Sequence, residues 1–111
     1  MILKPKTAEQ YTDLHGGRGN VTISKHLGAH DVNGLDLFAK VVVEKGGSIG
    51  YHEHLEDSES YYILSGAADF IDADGTHKPV VPGDLCLITK GQSHGIVNTG
   101  EGALEFLAVV F

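Results

Sequence analysis

The chain is short of positive charge. Eight of its 111 residues are Lys or Arg, they are scattered, and Arg18 is the only arginine; fifteen residues are Asp or Glu, for a formal net charge of −7. Binding a phosphate backbone needs a basic patch, so nucleic acid is not expected as a partner. Cysteine is nearly absent. Cys86 stands alone, which excludes an internal disulfide and suits a reducing, cytoplasmic location. No apolar run approaches the roughly 20 residues needed to span a bilayer. Met1–Lys6 lacks an apolar core and a small-residue cleavage site, so no signal peptide and no membrane partner are expected. Low-complexity segments, linkers, tandem repeats and a helix-turn-helix pattern are missing too. The expectation is one domain over residues 1–111, long enough for one core.

What is present is glycine and β-type residues. Fifteen glycines punctuate short runs of strand formers. Strands are predicted over 21–26, 35–44, 59–64, 67–71, 85–88, 95–98 and 104–111. Asp74-Gly75 is a hairpin signal between Phe70-Ile71 and Val80-Val81. Pro82-Gly83 reads as a second turn, and residues 99–102 as a third. One short helix is predicted over Thr7–Leu14, because Thr-Ala-Glu-Gln10 has the spacing of a capping box. Many short strands between regular turns indicate an all-β sandwich or barrel.

The most informative stretch is 46–66. His52 and His54 are two apart, so on an extended strand they share a face. Glu59 follows a short polar gap and opens the run Tyr61-Tyr62-Ile63-Leu64. Two imidazoles and a carboxylate on one face are the donors of a transition-metal site. Downstream, a turn separates Ile88 from His94, and the hairpin so formed can pack beside the first and aim His94 at the same point. His94 and Asn98 share a face if their strand is unbroken.

Both segments resemble the motifs of the cupin superfamily. The first runs Gly46, five residues, His52, one residue, His54, four residues, Glu59, six residues, Gly66. The second runs Gly83, five residues, Thr89, one residue, Gly91, two residues, His94, three residues, Asn98. One position departs: Thr89 stands where the family pattern has proline, at a turn and not at a ligand. The resemblance implies an all-β double-stranded β-helix, the cupin jelly-roll barrel. It also implies one divalent metal held by His52, His54, Glu59 and His94. Three imidazoles and a carboxylate suit Mn, Fe, Ni, Cu or Zn and suit Ca poorly; manganese or iron is favoured. Four protein ligands on a six-coordinate metal leave two positions for a guest.

The remaining candidates are weaker. Glu56 is either a carboxylate acting near the metal or part of the solvated acidic loop 53–57; the second reading is preferred, and Asp57 and Ser58 share it. Tyr61 has the parity of Glu59 and is expected to line the pocket, offering a phenol as donor or acid. Tyr62 has the opposite parity and belongs to the outer layer. Arg18 and Lys40 are the cations named for an anionic substrate, against the plainer reading of surface charge. Gln92 and Ser93 either touch a ligand or serve the turn before His94. His15, His26, His30 and His77 read as surface or turn residues, and Cys86 as a small hydrophobe.

Segments 35–43 and 104–111 are too apolar for one inner face, and a homodimer is expected. The segments Ser48 to His54 and Ser93 to Gly100 are similar to segments of small cupins described as oxalate-decarboxylase-like. The leading functional expectation is therefore a small-molecule enzyme acting on a small carboxylate or another oxygen-rich metabolite. An Fe(II)-dependent dioxygenase and a non-catalytic metabolite- or sugar-binding cupin are the alternatives.

Overall fold

The computed structural model describes residues 1–111. Its strands are β1 (Glu9–Thr12), β2 (Asn20–Leu27), β3 (Leu37–Val43), β4 (Ser48–Glu53), β5 (Glu59–Ser65), β6 (Ala68–Ile71), β7 (His77–Val80), β8 (Leu85–Ile88), β9 (Ser93–Asn98) and β10 (Leu104–Val110). A single 3₁₀ turn, Leu14–Gly16, lies between β1 and β2. No helix is long and apolar enough to cross a membrane.

From β3 onward the chain is one long hairpin wound on itself. β3 pairs with β10, β4 with β9, β5 with β8 and β6 with β7, all antiparallel. The tip is the Asp72–Thr76 turn, where Gly75 takes a φ of +80° and Asp74 accepts from the Thr76 amide and hydroxyl. Winding adds two further ladders, β10 with β5 and β9 with β6. The result is a double-stranded β-helix with sheet orders β1-β2-β3-β10-β5-β8 and β4-β9-β6-β7. The barrel implied by the motifs is not closed. The edge strands β7 and β8 have four residues each and share no ladder, so the sheets stay separate layers.

The core lies between the sheets and follows strand alternation. In β10, Leu104, Phe106, Ala108 and Val110 are buried while Glu105, Leu107 and Val109 are not. Burying Phe106 alone contributes about 1.5–3 kcal/mol. β8 alternates despite its unbroken apolar sequence: Cys86 and Ile88 point in, Leu85 and Leu87 point out. Burial pushes the Cys86 thiol up to about 11, which fits its role as a small hydrophobe.

The predicted helix over Thr7–Leu14 does not form. Its residues pair with β2 in the register Glu9–Ile23 to Thr12–Asn20. Tyr11 and Thr12 are strand formers, and the ladder outweighs a cap worth about 1 kcal/mol. Asp13, at φ 54° in the left-handed region, then turns the chain into the 3₁₀ segment.

Candidate metal site

His52 lies on β4, directly opposite His94 on β9. His54 follows the end of β4, tied by its own N–H to the Gln92 carbonyl and by its carbonyl to the Gly91 N–H. Glu59 opens β5 and is buried. The parity of β4 sends Glu53 outward, and the residue is exposed. One ligand atom from each of His52, His54, Glu59 and His94 lies within 4.8 Å of all the others. Closest are His94 Nε2 to Glu59 Oε1 at 2.9 Å, His54 Nε2 to Glu59 Oε1 at 3.1 Å, and His52 Nε2 to His54 Nε2 at 3.2 Å.

The chemistry of this donor set fits a cation. His52 donates from Nδ1 to the Gly50 carbonyl at 2.7 Å, and His54 donates from Nδ1 to Asp57 Oδ1 at 2.7 Å. Each bond places the neutral ring's proton on Nδ1 and leaves the Nε2 lone pair facing inward. Two such lone pairs at 3.2 Å, beside a carboxylate oxygen, repel one another unless positive charge lies among them. Desolvation lowers the His52 pKa from its ordinary 6.5 to about 4, which keeps the ring neutral, as a ligand must be. These four residues could hold one divalent transition metal ion.

Tyr61 backs the site. Its ring stacks on His94 at 4.8 Å between centroids, its hydroxyl reaches His94 Nε2 at 3.4 Å, and Phe106 packs against it at 4.3 Å. Burial and the Glu59 carboxylate hold the phenol well above its ordinary pKa, so it stays protonated. A cavity of about 330 Å³ opens from the ligands toward β1 and the 3₁₀ turn. His52, His54, Glu59 and Tyr61 line its polar end, and Leu14, Ile23, Leu37, Val41 and Ile49 its apolar walls.

Several sequence candidates stand elsewhere. Glu56 is 87% exposed and lies 3.9 Å from Lys90. Lys40 points outward from β3 and pairs with Glu105 at 3.0 Å. Gln92 closes its own turn by accepting from the Thr89 N–H at 2.9 Å. Arg18 borders a separate polar hollow with Gly16, Gly17 and Ser48. None of these four lines the cavity. Asn98 is buried but is no ligand. Its Nδ2 donates to the carbonyls of Val43, Glu44 and Gly102 at 2.9–3.1 Å, which pins the end of β9.

Other residues join the site without having been singled out. His15 is in an exposed turn as expected, yet its ring stacks flat on His52, with centroids 3.8 Å apart. Gly17 and Gly50 permit this approach. A Cβ at Gly50 would lie 2.7 Å from the His15 carbonyl carbon, and one at Gly17 would lie 2.8 Å from the Gly50 nitrogen. Asp57, read as part of a solvated loop, is the partner that orients His54. Lys25 and Tyr11 line the cavity as well.

A profile of the cupin domain matches residues 39–110, which include all four candidate ligands. The chain belongs to the cupin family. This cupin is 40% identical over 105 residues to an oxalate-binding protein of Thermotoga maritima, covering 94% of this chain and 86% of that one. A crystal structure described as a predicted oxalate decarboxylase, also from Thermotoga maritima, superimposes with a TM-score of 0.94. It is 38% identical, with 100% of this chain and 98% of that one covered. The polyketide cyclase RemF of Streptomyces resistomycificus shares the fold at a TM-score of 0.74 and 25% identity, over 97% of this chain and 72% of its own.

Proposed function

We propose that this cupin holds one divalent transition metal, manganese or iron in preference, on His52, His54, Glu59 and His94, and takes a small carboxylate such as oxalate beside it. The observation that carries this reading is the cavity. It is about 330 Å³, at the small end of ligand pockets, and it joins an apolar wall to a cluster of inward-facing metal donors. The similarity to an oxalate-binding protein supports the choice of ligand. When bound, the metal supplies Lewis-acid polarisation of a carboxylate oxygen. The protein's residues supply the rest. The Nδ1–H bonds to Gly50 and Asp57 fix the ring orientations, and Leu14, Ile23 and Val41 exclude water.

Binding is better supported than turnover. Decarboxylation by a carboxylic-acid proton donor has no residue here, because Glu59 is the only carboxylate in the cavity wall and belongs to the ligand set. Calorimetry of manganese-loaded protein with oxalate, joined to an assay for carbon dioxide and formate, tests this. Oxalate binding without product is expected. Product formation would restore the decarboxylase reading, and a loaded site that ignores oxalate would remove the small carboxylate altogether. Iron in the protein as isolated, with oxygen uptake on a thiol or diketone, would favour the dioxygenase reading instead.

We further propose pairing of two copies through the outer face of the larger sheet. Tyr62, Leu64, Leu85 and Leu87 are 41–62% exposed there, with Tyr62 opposite Leu85 in the ladder. A contiguous apolar patch of this kind is uncommon on a monomer. A sedimentation mass of two chains at micromolar concentration is the expected result; one chain would contradict it.

A further inference from the structure

Lys25 occupies an inward position of β2. Val21, Ile23 and Lys25 stand opposite Val43, Val41 and Ala39 of β3, and those three partners are buried. The first two steps of this inward row are apolar. The third is a lysine, placed where the row reaches the cavity. A half-buried lysine on an inward face turns its ammonium toward solvent or toward a charged guest, because removing an unpaired ammonium from water is costly.

No protein partner is present. Lys6, Lys40, Lys45, Lys78 and Lys90 each reach a carboxylate. Lys25 reaches none, is half-buried, and is the only lysine or arginine in the cavity wall. The only other formal charge lining the cavity is Glu59, already engaged with His54 and His94. With a divalent ion on the ligands, Glu59 leaves one positive charge there, and Lys25 adds a second. Two positive charges in a small, largely apolar cavity match a dianion, and a monocarboxylate satisfies only one of them.

We propose that Lys25 is the specificity-determining cation of the cavity, receiving the second carboxylate of a small dicarboxylate whose first carboxylate is held at the metal site. The proposal rests on the small-carboxylate reading above and adds the residue that would distinguish two carboxylates from one. Ile23 and Leu37 line the same cavity.

The test is calorimetric titration of manganese-loaded, full-length protein with oxalate and with acetate. Parent, Lys25→Met and Lys25→Arg are compared, with bound manganese measured in each before and after titration. Methionine keeps the apolar stem and removes the charge. Lys25→Met should bind oxalate about tenfold to a hundredfold more weakly, the range of a charge-assisted hydrogen bond. Its acetate affinity and manganese content should match the parent's, and Lys25→Arg should recover part of the oxalate affinity. Should Lys25→Met not fold, Lys25→Gln takes its place with the same expectation. Parent protein that binds oxalate no better than the charge-removed variant overturns the role of Lys25 and leaves the small-carboxylate reading standing. Loaded parent that does not bind oxalate overturns both.

Discussion

Removing the carboxylate of Asp57 should weaken metal binding while leaving the fold in place. Asp57 accepts from His54 Nδ1 at 2.7 Å and thereby fixes which nitrogen of His54 faces the other ligands. Losing such an outer partner typically costs tenfold to a hundredfold in metal affinity, about 1.4–2.7 kcal/mol. The Asp57 side chain is 28% exposed, so water replaces part of the lost bond. Asp57→Ala should therefore fall near the lower bound, at about tenfold. Asp57→Asn should lose only a few-fold, because its carbonyl still accepts from the ring. Glu53→Gln is the control, since Glu53 is exposed beside His52 and outside the cavity lining. A competition titration of metal-free protein with Zn(II) and a chromophoric chelator at pH 7.5 measures all three. Circular dichroism checks that the fold is retained. Asp57→Ala that binds zinc as tightly as the parent would refute the claim that Asp57 orients a ligand.

Two further outcomes follow from the same geometry. Gly50→Ala places a methyl group against the His15 carbonyl carbon and the Gly17 nitrogen, so the 3₁₀ turn must shift and the stack on His52 must loosen. A loss of about 1–3 kcal/mol in urea denaturation is expected, whereas Gly102→Ala, which meets open space, should change stability by less than about 0.5 kcal/mol. The pH dependence of the metal-free protein follows His52. Its folded pKa of about 4 lies below its ordinary 6.5, so between those values the unfolded chain binds more protons than the folded one. Its contribution is complete above pH 6.5 and is lost as pH falls toward 4. Calorimetric scans at pH 7, 5.5 and 4.5 should show the melting temperature falling, with a shallower fall in His52→Gln.

The strands were legible wherever turn chemistry marked their ends. Asp74-Gly75, Pro82-Gly83 and the turn before Leu104 help to bracket β6, β8, β9 and β10, whose observed boundaries lie within about two residues of those expected, whereas β7, four mostly exposed residues that include Pro79, is a strand the sequence pattern does not mark. β1 was misread because a capping-box pattern is local, whereas the ladder with β2 is not. The four candidate ligands follow from motif spacing and strand parity, and the structure gathers them. Parity lapses after Glu53, where the chain turns, which is why Asp57 looked like a solvated acid. His15 left no signal in any strand pattern. It reaches His52 through left-handed conformations at Asp13, His15 and Gly16, and through the close approach of Gly17 and Gly50, which lie far from each other in sequence. Lys25 was within reach of the sequence, since the alternation Val21, Ile23, Lys25 already places it on the inner face.

The central claim is that His52, His54, Glu59 and His94 together hold one metal ion. Its most direct test is elemental analysis of the purified protein after loading with Mn(II) or Zn(II) and removal of free metal, set beside His52→Ala and His94→Ala treated identically. The account predicts one equivalent per chain in the parent and almost none in either variant, with circular dichroism showing all three folded. Equal metal content in parent and variants would contradict it.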